Sequence, residues 1–363
     1  MEQLIYFAGT HTAKGYRDLL ASNLAGIDYI FLIEGATKHE RSHCIRHFFE
    51  KWRAKGEQIE LLLNCLDRSY FTGVINRRRR CAIIDRRAYP HYTPIAVGLI
   101  EHIVDLSGKV DEKSCANDRA DIQQLYRQQQ EKVNAVHQSF AIGLDIHDQL
   151  EQIFIDAIDF RKADHVTQQL IGKLFDHEMS NKASPTVYHR FLGASTATGV
   201  VDYIDQLTEQ VNKRYLIKGR AGSGKSTLLK KVVAEAEERR FTVECYHCGF
   251  DPDSLDMIII RELNTAIFDS TAPHEYQPSR HGDEIIDLYQ TTIAPGTDEK
   301  YHEQIASLTV QYKYHIQDGI RGLADVLDIE NTIEKKLKKC SDQANFNHQV
   351  ETFIKRVETW VHE

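Results

Sequence analysis

Residues 7–94 lie over residues 191–278 at a constant offset of 184 without a gap, and twenty of the 88 positions are identical. Ordinary composition gives roughly five or six matches by chance over such a length. The matches cluster. FAGTHTAKGYRD from Phe7 faces FLGASTATGVVD from Phe191, and FLIEG ending at Gly35 faces YLIKG ending at Gly219. AIID ending at Asp85 faces AIFD ending at Asp269. Beyond residue 94 the register slips by one, so that LDIHDQLE from Leu144 faces LDIENTIE from Leu327. Such a pattern is a duplicated domain, and whatever one copy folds into, the other must also accommodate.

The second copy is the easier to read. Tyr215–Ile217 is a short apolar strand that runs into a glycine-rich turn. Leu228, Leu229, Val232, Val233 and Ala236 then recur at helical spacing. FTVECYHC from Phe241 predicts a second strand, and TAIFD from Thr265 a third, apolar enough for burial in a parallel sheet. Each copy closes with about sixty residues of helical pattern, Asp111–Phe175 and Asp298–Trp360. The polar stretch 177–190, HEMSNKASPTVYHR, is the expected linker.

The turn itself, GRAGSGKS at 219–226, matches G-x-x-x-x-G-K-[ST] and sits between a strand and a helix. Glycines let successive backbone N–H groups surround a phosphate, and the helix adds the positive end of its dipole. The expected nucleotide contacts are Gly219, Arg220, Ala221, Gly222, Ser223, Gly224, Lys225, Ser226 and Thr227, with ATP and Mg²⁺ as cofactors. Lys225 would reach the β- and γ-phosphates, and the Ser226 hydroxyl and Asp269 would hold Mg²⁺. For Asp269 the plainer role is capping a turn. Asp251, Asp253 and Asp256 follow the second strand and could orient water or take a proton, unless Asp253 or Ser254 caps a helix starting at Leu255. Glu275 is a rival for the water. The catalytic set is therefore Lys225, Asp251, Asp269 and Glu275. Cys245 and Cys248 form C-x-x-C without a second pair, which reads as strand packing rather than a zinc or redox site.

The first copy has lost this chemistry. Gly222, Gly224 and Lys225 correspond to Lys38, Glu40 and Arg41, and Asp253 and Asp256 to Ser69 and Thr72. A carboxylate in an anion nest and a bulkier cation beneath it argue against Mg-nucleotide turnover. It also carries Arg77–Arg80, Arg86 and Arg87, readable as a solvated run, an arginine finger toward the second copy, or an anion-binding patch. The expected fold class is α/β, two tandem P-loop NTPase domains at 1–180 and 186–363. Each is a mainly parallel sheet flanked by helices with a helical C-terminal extension, and the first is degenerate.

Bulk properties fit a soluble globular chain: 42% hydrophobic and 27% charged residues, no apolar run long enough to span a bilayer, and no signal-peptide pattern at MEQLIYFAG. Seven scattered cysteines predict reduced thiols in the cytoplasm, and a net charge of −8 disfavours nucleic acid as a partner.

The runs IKGRAGSGKSTLLKK, YHCGFDPDSLDM, IFDSTAPHEYQPSR, and IIDLY with PGTDEKY resemble a poorly characterised family of tandem P-loop ATP-binding proteins of Gram-positive bacteria, over nearly the whole chain. That resemblance implies ATP binding and an ATPase or nucleotide-kinase-like activity. Members of the family typically keep both loops, and this first loop departs from them. The expected function is a Mg-dependent ATPase with one site in the second half, regulated by the first. Small-molecule or nucleotide kinase and nucleotide-gated binding protein are the alternatives, with a protein partner on the helical extensions.

Overall fold

The computed structural model describes residues 3–107, 118–176, 178–182, 185–272, 274–340 and 343–360. Its first sheet uses β1 (Gln3–Tyr6), β4 (Tyr29–Glu34), β5 (Ile59–Leu63), β6 (Phe71–Asn76), β7 (Cys81–Asp85) and β8 (Glu101–Asp105), in the order β1-β5-β6-β7-β4-β8. The hairpin β2 (Gly9–Thr12) and β3 (Gly15–Asp18) stands apart from it, followed by the short α1 (Leu20–Asn23). Helix α2 (Lys38–Ala54) connects β4 to β5, and α3 (Arg119–Ile155) and α4 (Phe160–Phe175) follow β8.

The second sheet uses β9 (Val187–Phe191), β12 (Lys213–Lys218), β13 (Val243–His247), β14 (Leu255–Ile260), β15 (Thr265–Asp269) and β16 (Asp283–Asp287). Its order, β9-β13-β14-β15-β12-β16, is the same as the first. Hairpin β10 (Gly193–Thr196) and β11 (Gly199–Asp202), α5 (Ile204–Leu207) and α6 (Lys225–Glu238) repeat the other pieces. Short helices α7 (Leu288–Thr292) and α8 (Thr297–Lys300) lead to the long α9 (His302–Lys339) and to α10 (Gln343–Trp360). The protein is thus α/β, with two sheet–helix halves. The sheets are mixed and mostly parallel, because β6 and β14 run antiparallel to both neighbours.

Several expectations change here. Leu255 opens strand β14, not a helix, so Asp253 and Ser254 cap nothing helical. Residues 177, 183 and 184 of the expected linker and 111–117 of the expected helix lie outside the described residues, while Val187–Phe191 is an edge strand. Five cysteines are free thiols, but Cys340 is disulfide-bonded, unlike the uniformly reduced set expected. No helix among the described residues is long and apolar enough to cross a membrane.

The halves exchange their C-terminal helices. Leu170, Ile171 and Phe175 of α4 bury themselves with Ile217, Leu229 and Val232 of the second half. Phe346, Phe353 and Val357 of α10 do the same with Phe31, Phe48 and Trp52 of the first. Between them α3 and α9 pair antiparallel, with Lys132 bridged to Asp325 at 2.8 Å and Lys336 to Asp118 at 2.6 Å. Gly319 and Gly322 of α9 are the points of close approach: a Cβ there would stand 2.1 Å from Phe140 and 2.5 Å from Val136. At the centre Arg190, 1% exposed, joins Glu60 and Glu244 at 3.1 Å each, and Arg77 and Arg261 brace those carboxylates from either side. A buried pair of this kind is costly to break, about 3–5 kcal/mol when one partner goes, because a bare charge is left behind.

Candidate functional site

Strand β12 ends at Lys218 and α6 begins at Lys225, so the glycine-rich turn occupies the space between a strand's carboxyl end and a helix N-terminus. Gly222 and Gly224 take left-handed backbone, φ 76° and 88°, which a side chain would strain. Gly224 caps α6 and offers no side-chain acceptor, so the first N–H groups of the helix have no cap of their own. Lys225 turns back over the turn. Its ammonium donates to Arg220 O at 2.8 Å and Gly219 O at 3.3 Å, and stands 3.5 Å from Asp269 Oδ2. Asp269, at the end of β15, accepts from Thr271 N at 3.0 Å and from the Thr271 hydroxyl.

The rest of the expected set is distributed around this point. Ser226 Oγ accepts from Leu255 N at 3.0 Å, tying α6 to the start of β14. Ser223 is fully buried with its hydroxyl unpartnered among the described residues. Arg220 pairs with Asp298 at 2.9 Å, and Thr227 is exposed. Asp251 and Asp253 both bind Lys14, at 2.8 and 2.7 Å, so the first half's hairpin turn reaches into this rim. Glu275 is exposed.

Groups from separate parts of the sequence complete the wall. Asp256 on β14 is buried, and burial followed by the field of Asp269 pushes its carboxyl up to about 6. The Cys248 thiol hydrogen-bonds to it. His274 donates to Asp202 at 2.7 Å, and Tyr276 donates to the same carboxylate at 2.7 Å. Burial opposes a charge on His274, but the Asp202 hydrogen bond and the fields of Asp202, Asp256 and Asp269 outweigh it and raise its pKa. Asp202 is visible in the sequence as an identity with Asp18 at the offset of 184; His274 carries no signal beyond standing five residues after Asp269.

Oxygen donors are what Mg²⁺ prefers, and Ser226 and Asp269 supply a hydroxyl and a carboxylate, with the buried Asp256 carboxyl close to Asp269. Burial and then the charge of Asp269 raise the proton affinity of Asp256, and crowded negative charge of this kind favours a cation beside it. The donor set fits the ion.

The first half's turn has different contents. Thr37 caps α2, and the Glu40 carboxylate accepts from Thr37 N at 2.8 Å and Thr37 Oγ1 at 2.7 Å. An internal carboxylate therefore takes the N–H group at which an external anion would sit. Arg41 makes the three contacts that Lys225 makes, to Gly35 O at 3.0 Å, Ala36 O at 2.9 Å and Asp85 at 2.9 Å. Lys38 leaves the turn altogether to pair with Glu330 of α9. Of the arginine run, Arg77, Arg79 and Arg80 pair with Glu60, Glu57 and Asp28, and Arg86 pairs with Glu34. In this structure these four are engaged by carboxylates of their own half.

The chain matches no protein-family model, no curated protein and no solved structure.

Proposed function

We propose that the protein binds ATP with Mg²⁺ at the Gly219–Thr227 turn and hydrolyses it there, while the first half supports or regulates that site. The observation that carries this reading is the asymmetry between the two turns. One has left-handed glycines, a helix N-terminus without a side-chain cap and a lysine whose partners among the described residues are carbonyls and Asp269. The other is filled by its own Glu40 and Arg41.

In this reading the Lys225 ammonium exchanges its carbonyl partners for phosphate oxygens, a swap of neutral acceptors for charged ones that strengthens each hydrogen bond. Ser226 and Asp269 would hold Mg²⁺, which neutralises charge developing on the transferred phosphoryl. Asp256 is the better placed carboxylate for orienting water, because Asp251 is paired with Lys14 and Glu275 is exposed. Its proton affinity lies close enough to neutrality for proton transfer. The His274–Asp202 pair can carry a proton beside it. The tandem P-loop family affiliation, a cytoplasmic setting and a protein partner on the helical extensions belong to the same proposal.

Gated binding with little turnover is a second reading, favoured by one contact. A Cβ on Gly222 would stand 2.4 Å from the Glu151 carbonyl of α3, so the helical layer sits directly on the turn. One assay separates the two. Phosphate release from Mg-ATP by the full chain, lost in Lys225→Ala together with ATP binding, supports hydrolysis. Tight ATP binding without release supports gating. ATP binding unchanged in Lys225→Ala removes both.

A further inference from the structure

A cavity of about 220 Å³ opens in the first half, lined among others by His11, Asn64, Thr72, Arg87, Tyr89 and Pro90. At the offset of 184, Asn64, Thr72 and Pro90 correspond to Cys248, Asp256 and His274. The first half has closed its phosphate turn but kept open the flank beside it.

The chemistry of that flank is inverted. Among the described residues, no carboxylate lines the cavity. Nearby Asp85 is occupied by Arg41 at 2.9 Å and by Arg87 N at 3.0 Å, and Asp18 accepts from His91 N at 3.1 Å. The polar groups left over are donors. Asn64 Oδ1 takes the N–H groups of Leu66 and Asp67 at 3.0 Å each, which leaves its NH₂ side free of those bonds. Thr72 and Tyr89 hydroxyls share one hydrogen bond of 2.7 Å, so whichever accepts keeps a hydrogen to donate. The Arg87 guanidinium is exposed and has no protein partner among the described residues. His11 is held at 3.0 Å by His137. Burial and that neighbour lower its pKa to about 3, so it adds no charge. One cation, several donors and walls that include Tyr16, Tyr89 and Pro90 define the complement.

We propose that this cavity binds a small ring-bearing anion, a carboxylate or a phosphate monoester, whose anionic group meets Arg87 and whose ring fills the interior. A triphosphate is excluded from this half because Glu40 and Arg41 fill the turn. The proposal does not depend on ATP binding in the second half.

The test is titration calorimetry on the full chain with nicotinate, phenyl phosphate and the neutral analogue nicotinamide. Expected is one-to-one saturable binding of nicotinate or phenyl phosphate, and which of the two binds tighter names the anionic group. Nicotinamide should bind at least about tenfold more weakly. Arg87→Gln, a surface change, should weaken the anion about tenfold, and Ala88→Leu, which fills the cavity, should remove binding. Lys225→Ala should leave it unchanged, so failure here and failure of the ATP reading are separable. Lack of saturation by about 10 mM, a very weak limit for a ligand of this size, overturns the proposal. So does equal binding of nicotinamide, indifference to Arg87→Gln, or loss in Lys225→Ala.

Discussion

Asp256 shows how one residue can link the candidate chemistry to stability. Its pKa rises from 3.8 to about 6 because burial penalises the carboxylate and Asp269 repels it. The folded chain then holds this proton more tightly than the unfolded chain does. Below pH 3.8 both states are protonated and the group contributes nothing. Stability falls as pH rises from there toward 6, and above 6 the full penalty stands, about 3 kcal/mol for a carboxyl displaced this far. Asp256→Asn removes the ionisation. Urea denaturation should therefore find this variant more stable than the parent at about pH 7.5, by up to about 3 kcal/mol, and close to the parent at about pH 4. Equal offsets at both pH values would refute the assignment. The sequence places Asp256 near the site but cannot supply its environment. Lys14, Asp202 and His274 reach the site from hairpins and loops distant in the chain, and only the fold brings them together.

At the scale of elements, the two turns differ in where the helix begins. Helix α6 starts at Lys225, whereas α2 starts at Lys38, three positions earlier at the shared offset. Replacing Gly222 and Gly224 by Lys38 and Glu40 removes the residues that tolerate left-handed backbone, and the chain winds into helix instead. The capping box of Thr37 and Glu40 then fixes the start. Thr37→Val should cost about 1 kcal/mol, and Glu40→Ala a similar amount. The pair should be less than additive in a double-mutant cycle followed by denaturation. Simple additivity would show that the two side chains do not act together. Most strands are legible in the sequence, because runs such as FLIEG, YLIKG and TAIFD are too short and too apolar for anything but a buried strand. Strand β14 is not. LDMIII follows an Asp-rich turn that resembles a helix cap, and no periodicity in six buried residues distinguishes the alternatives.

Over the whole molecule, the exchange of α4 and α10 is invisible in the sequence for a definite reason. An apolar stripe tells that a helix must be covered, not which surface covers it. The exchange also means that the last helix of the chain stabilises its first sheet. Phe353 stacks edge-on to Phe31 and Phe48, with ring centroids 5.4 and 5.5 Å apart, and Trp360 lies 5.8 Å from Phe31. Lys51 of α2 pairs with Glu358. Ending the chain at Cys340 removes α10 and uncovers Phe31, Phe48 and Trp52, a loss of roughly 5 kcal/mol or more when several large apolar side chains lose their cover. The chain has two tryptophans, so Trp52 alone would report on the truncated form. Its emission should shift to the red relative to full-length protein carrying Trp360→Phe, and proteolysis should begin in the first half. The second half, whose sheet is covered by α4, should keep its protection. Were each tail to serve its own half, truncation would loosen residues 215–267 and leave Trp52 buried.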